Sequence, residues 1–359
     1  MDITYDQPFE LLSNRVWRTY KGGAVLDRLA GKNDGRDDHF PEDWVGSATR
    51  AANAGREHLR DEGISRARLA DGREYSMEEV YQTDPQQALG VEHVRAFGPH
   101  PQLLVKMLDA AMRLHIQAHP SVPWARRHLG AESGKTEAWY ILETRQPDAW
   151  VYLGFQHPPT PAQWQRMIDA QDLPAIEACF EKIPVKAGDV LLVEGGVPHA
   201  IGPGVFMVEV QEPTDYVVRC EYAHGGLELP ESARTMGLGL DRVLDMFDYT
   251  PYPLEEVPRR FGPQLRTVSA GAAGREEVLL AAPQTQRLEL RRVECATALE
   301  LDADGRFSIL IVLEGAGVLR VGGRELVLRP WSRYFLPAAL RQVAVEGACR
   351  LLRALPPHP

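Results

Sequence analysis

In the middle of the chain polar and apolar residues change places at every step: in LHIQAHP, starting at Leu114, His115, Gln117 and His119 alternate with Ile116 and Ala118. An extended strand sends the three polar side chains to one face and the two apolar ones to the other. The preceding run, PQLLVKMLDA, opens this strand region at Leu103, and GKTEAWYIL and GDVLLVEGGVPHAIG continue it between Gly and Pro punctuation. The last ~90 residues repeat the period of two in LELRRVE, FSILIVLEG, GVLRVGG, RELVLRP, SRYFLPA and QVAVEG, which predicts an antiparallel sandwich or barrel. Helical spacing appears in three places. Met77 to Leu89 is one; Thr160 before Pro161, with Trp164, Met167 and Ile168 at i, i+3 and i+4, predicts a capped helix followed by a second around Ala175 to Ile183. ARTMGLGLDRVLDMF is the third. The fold class is therefore all-β dominated with helical insertions.

The Pro-rich TPYPLEEVPRRFGP marks a boundary. It divides the chain into a first domain at 1–255, with an N-terminal extension and a helical excursion near 160–183, a connector at 256–284, and a second domain at 285–359. KAGDVLLVEGGVPHAI (Lys186 to Ile201) and RPWSRYFLPAALRQVAV (Arg329 to Val345) share a turn, strand, small-residue turn, strand rhythm, so the second domain reads as a duplicate of the first. Only the first copy keeps a histidine, and none lies between Phe307 and Leu355, so the duplicate is expected to be metal-free.

Composition narrows the classes. With 359 residues and a net charge of -10, the chain lacks the basic surface that nucleic-acid backbones select. The longest apolar runs, such as FSILIVL, fall short of the ~20 residues that span a bilayer. The start MDITYDQPFELLSNR has no apolar signal core, so cytoplasm is the expected location and no membrane partner is expected. Cys179, Cys220, Cys295 and Cys349 are scattered without a CxxC pair and read as buried thiols. His39 has no partner at ligand spacing and reads as a loop histidine.

The His115, Gln117, His119 face looks like one wall of a metal site, with Glu137, His199 and Arg219 at distances a barrel could close. Gly188 and Gly196, with His199 three residues on, fit the second cupin signature, although Glu194 stands where proline is usual. In the first signature Gln117 replaces the first histidine of His-x-His, and the glutamate comes only at 137. This pattern resembles the type I mannose-6-phosphate isomerases, a cupin family. Gln117-Ala118-His119-Pro120 follows PQLLVKMLDA; Gly134-Lys135-Thr136-Glu137 precedes Trp139 and Tyr140; His199 to Gly202 closes a Gly-Asp strand; and Glu209 precedes Arg219 by ten residues with Asp215 between.

The resemblance implies two cupin (jelly-roll-like β-barrel) domains, the first metal-binding, and Gln117, His119, Glu137 and His199 as ligands of one divalent metal per chain, zinc first. It implies an aldose-ketose isomerase interconverting mannose 6-phosphate and fructose 6-phosphate through a cis-enediol. Arg219 would stabilise the enediolate, and Lys135 and Glu209 are alternative bases. Lys106, Asp215 and His115 are the expected substrate contacts. Two departures bear on the substrate: His115 stands where many relatives have serine, and Ser121 where aspartate is common. An isomerase of a different or unphosphorylated sugar, and a non-catalytic sugar-binding cupin, are the competing readings. An iron cupin oxygenase would need more histidines. A monomer or homodimer is expected.

Overall fold

The computed structural model describes residues 3–301 and 304–359. Strands dominate it. One sheet runs Val190–Val193, Glu137–Thr144, Val205–Gln211, Leu104–Asp109, Glu42–Val45, Arg15–Val16, and faces a second that runs Ile183–Pro184, Trp150–Leu153, His199–Ile201, Gln117–Ala118, Val218–Arg219. The same order recurs in the C-terminal half. There Arg333–Leu336, Ser308–Gly315, Cys349–Leu355, Glu289–Cys295, Gly274–Leu280 and Arg266–Gly271 form the larger sheet, and Arg324–Leu328, Gly317–Val321, Val343–Glu346 and Ala298–Leu301 the smaller. The chain is thus two cupin barrels of matching strand order.

The barrels are joined back to back. In Val205–Gln211, Phe206, Val208 and Val210 pack into a core shared with Leu290, Ile309, Ile311, Leu352 and Ala354 of the second barrel, while Val205 and Met207 face the first barrel's interior. A strand buried on both faces needs no polar alternation, which is why this one reads VFMVEVQ. Each such side chain contributes about 1.5–3 kcal/mol by leaving water. The interior side of this sheet is then free to carry charge.

Several details depart from expectation. Phe9–Leu11 pairs with Arg333–Leu336 and carries Arg66–Arg68 and Glu74–Ser76 with it, so N-terminal strands extend the second barrel's sheet across the division at 255. The segment expected to be a connector contributes Arg266–Gly271 and the whole of Gly274–Leu280 to that sheet. Met77 to Leu89 is two helices, Met77–Thr83 and Pro85–Leu89, because Pro85 forces Asp84 out of helical geometry. In ARTMGLGLDRVLDMF only the end is helical, as the short Leu240–Val243 and the single turn Leu244–Met246 that follows it, because Gly237 and Gly239 before them stand at positive φ. The capped helix Pro161–Ala170 is present with Thr160 and Gln163 in a reciprocal capping box, and Leu173–Glu177 follows it. Among the described residues no helix is long and apolar enough to cross a membrane.

Candidate metal centre and substrate cleft

Strand register assembles the site before any side-chain detail is considered. Gln117 lies opposite His199 on one side and Arg219 on the other, and antiparallel partners share a face. In the facing sheet Glu137 lies opposite Gln211, and Glu209 lies between Lys106 and Trp139. Both rows point into the first barrel. Only Gln117–Ala118 of the expected strand from Leu114 is regular, yet His115, Gln117 and His119 all line the same cleft.

His119, Glu137 and His199 bring one ligand atom each within 4.8 Å of one another, the one such group of His, Cys, Asp and Glu among the described residues. His119 Nε2 is 3.0 Å from Glu137 Oε1, His199 Nε2 is 3.8 Å from Glu137 Oε2, and the Gln117 amide is 3.5 Å from His199 Nε2. The second ring nitrogens are committed outward. His119 Nδ1 donates to the Tyr216 carbonyl at 2.7 Å and His199 Nδ1 to the Val197 carbonyl at 2.9 Å, which turns both Nε2 lone pairs inward in the tautomer a metal requires. Trp139 Nε1 donates to Glu137 Oε2 at 3.0 Å, whereas Glu137 Oε1 is buried without a well-formed hydrogen bond.

Burial, together with Lys135, pushes the His119 imidazole down to about 3, and burial also lowers His199. Burial opposes ionisation of Glu137, but Lys135 and His119 hold it well below the usual carboxylate range. Two neutral imidazoles, an ionised carboxylate and a neighbouring amide are a donor set that fits a divalent cation. Lys135 Nζ stands beside them, 2.9 Å from Glu137 Oε1 and 3.0 Å from His119 Nε2.

Around this group runs a lattice of buried charges. Lys106 pairs with Glu209 at 2.8 Å and lies 3.8 Å from Glu42; Arg18 pairs with Glu42 at 3.2 Å and, through both terminal nitrogens, with Asp215 at 2.8 and 3.0 Å. Tyr20 and Trp44 each donate to Glu42, at 2.6 and 2.7 Å. Burial and the nearby Glu137 raise the Glu209 carboxyl; burial opposes ionisation of Asp215, but Arg18, with Lys106 and Lys135, holds its carboxyl below the usual range. Arg219 differs from the other cations. One nitrogen donates to the Ala233 carbonyl at 2.7 Å, and no carboxylate reaches ion-pair distance among the described residues. Burial and the neighbouring Arg18 bring its guanidinium down to about 10, so it stays charged at neutral pH.

Of the residues expected from sequence, Gln117, His119, Lys135, Glu209, Arg219, His115 and Lys106 line one cleft, with Glu137 and His199 at its floor beside His119. Asp215 is turned away from this throat toward Arg18 and the Ala52 N–H. His115 Nδ1 meets the Glu221 carbonyl at 3.0 Å, and its ring rests on His224. Arg18, Tyr20 and Glu42 were not anticipated. Glu42 and Trp44 alternate in PEDWV, a faint strand signal, but Arg18 meets Asp215 across 197 positions and no local spacing announces it.

The throat itself is tight, about 20 Å³. Val217 and Arg219 also line a wider cleft of about 360 Å³, walled by Ala51 to Ala54, Tyr216 and Met236.

Comparison with known proteins agrees with this fold. The family described as "Mannose-6-phosphate isomerase, cupin domain" matches residues 283–356. A mannose-6-phosphate isomerase of Streptococcus mutans is 27% identical over 76% of this chain and 81% of its own length, and mannose-6-phosphate isomerase ManA of Bacillus subtilis is 36% identical over 33% of this chain and 36% of its own. The crystal structure of a mannose 6-phosphate isomerase from Bacillus subtilis superimposes with a TM-score of 0.74 at 21% identity, covering 97% of this chain and 99% of that one, and so shows the fold.

Proposed function

We propose that this chain, which belongs to the mannose-6-phosphate isomerase family of the cupin superfamily, is a metal-dependent aldose-ketose isomerase acting on mannose 6-phosphate and fructose 6-phosphate. The observation that carries the reading is the inward convergence of His119, Glu137 and His199, with both imidazoles anchored from behind, beneath an arginine that has no carboxylate partner at ion-pair distance among the described residues. Gln117, His119, Glu137 and His199 would hold the metal, zinc by the donor set, which would supply Lewis acidity toward the sugar's oxygens.

The remaining work falls to the chain's own groups. Isomerisation moves a proton between C1 and C2 through an enediol. Glu209, with its raised carboxyl pKa, suits taking up and returning that proton, and Lys106 fixes its direction. Arg219 would meet the charge that develops on oxygen. Lys135 is the alternative base, paired at 2.9 Å with Glu137, the ligand carboxylate itself. The reacting carbons would enter the throat, and the far end of the sugar would lie in the wider cleft beyond Arg219.

One feature favours a second reading, an unphosphorylated sugar: the wider cleft carries Glu57 and Asp215 and, for cations, only Arg219 among its described lining residues. The test is interconversion measured with zinc-loaded protein on mannose 6-phosphate and on free mannose. Turnover of the phosphate ester that stops on chelation supports the first reading, turnover of mannose alone supports the second, and no turnover of either contradicts both. Cytoplasmic location and a monomer or homodimer complete the proposal.

A further inference from the structure

Cys295 and Cys349 are 54 positions apart in sequence but direct partners in the ladder between Glu289–Cys295 and Cys349–Leu355. Directly opposed antiparallel residues place their Cα atoms about 4.5–5.5 Å apart, inside the roughly 4.4–6.8 Å window that disulfides occupy. Both side chains point to the same, inward face of the second barrel, where they join one apolar cluster with Val293, Leu351 and Val345. On its other side Cys349 is opposed by Gly315, so the cross-strand side chain it meets is that of Cys295. Gly317 adds to the opening: a Cβ there would lie 3.5 Å from Cys349 Sγ. Both thiols are buried but lie at strand ends close to the surface. Cys295 closes its strand, Cys349 begins its own, each keeps 6–7% exposure, and the adjoining Ala296, Thr297 and Ala348 are exposed. Cys179, by contrast, follows the helix Leu173–Glu177 and has no strand partner, and Cys220 is fully buried.

We propose that Cys295 and Cys349 are a modification site of the second barrel, a thiol pair that a two-electron oxidant of the peroxide class converts to a cross-strand disulfide. One thiolate attacks a peroxide oxygen and breaks the O–O bond, leaving a sulfenic acid and hydroxide. The second sulfur attacks the sulfenic sulfur and expels another hydroxide. Two thiols lose two electrons and two protons, and peroxide becomes two waters. Burial raises both thiols, Cys349 to about 11, so the reaction accelerates with rising pH.

The experiment treats the full chain with hydrogen peroxide at about pH 8.5, the ordinary thiol range, then counts free thiols and maps peptides without reduction. The expected result is loss of two of the four thiols, a linked peptide containing Cys295 and Cys349, and full recovery with dithiothreitol. Cys295→Ser should abolish the link, and Cys349→Ala, made separately, should do the same. Four intact thiols, a Cys179 to Cys220 link, a link between two chains, or sulfinic acid at either residue in place of the link would overturn the proposal.

Discussion

Burial, and then the opposing charge of Glu137, lift the Glu209 carboxyl pKa against the pull of Lys106, which pairs with it. If it carries the proton, Glu209→Gln lowers kcat by ~10²–10⁴-fold and leaves metal content unchanged; wild-type kcat should also fall as pH drops through the raised carboxyl pKa. Steady-state pH profiles of both proteins check this, and a Gln variant with full activity would pass the role to Lys135. Arg219→Leu should cost ~10²–10³-fold in kcat, the usual loss for one oxyanion donor. Stability has its own pH signature. His115 and His119 are pushed down to about 3 by burial, from the ordinary 6.5. As pH falls below about 6.5 the unfolded chain takes up protons that the folded chain refuses, so stability declines steadily toward pH about 3. Melting temperatures measured across that window should drop, and a flat profile would contradict the burial argument. At this scale the sequence was informative where spacing is local, as in Gln117 and His119 or Lys135 and Glu137. It was silent where partners meet through the fold, as in the Arg18 pair with Asp215 and Glu42.

At the scale of elements, legibility followed how each segment meets solvent. Strands with one wet face, such as Gly317–Val321, alternate and were readable, whereas Arg266–Gly271 is largely exposed and Cys349–Leu355 largely buried, so neither alternates. The helix Pro161–Ala170 was readable because its start is chemically explicit. Thr160 accepts from the Gln163 N–H while the Gln163 side chain accepts from the Thr160 N–H at 2.8 Å. Thr160→Ala should cost about 1 kcal/mol in a denaturant titration and leave activity per folded molecule intact, because Trp164 and Ile168 still pack under the excursion. A loss of activity at unchanged stability would mean that the helix touches the cleft.

Over the whole molecule, register relates the two barrels residue by residue. Glu42 lies opposite Leu108, two places beyond Lys106, and Lys106 lies opposite Glu209; in the second barrel Glu276 lies opposite Val293, two places beyond Arg291, and Arg291 lies opposite Arg353. The charged positions persist with different chemistry. Glu276 is 3.2 Å from both Arg291 and Arg353, and Glu289 meets Arg291 at 2.5 Å and Arg306 at 2.8 Å. Ser308, first in a strand of eight as Glu137 is in its own, receives Arg353 Nε at 3.0 Å. Breaking a buried pair costs ~3–5 kcal/mol, so Glu276→Gln should unfold the chain at lower denaturant while kcat per folded molecule holds, the apolar interface standing between this cluster and the cleft. The duplication was visible in the sequence rhythm, but the ion cluster was not, since its members lie on four separate stretches. The account as a whole rests on the first barrel moving a sugar proton, and the most direct measurement is proton exchange itself. Zinc-loaded protein incubated with fructose 6-phosphate in deuterated water and followed by NMR should place deuterium at C1 of recovered ketose or C2 of the aldose formed; sugars recovered without deuterium and without interconversion would contradict it.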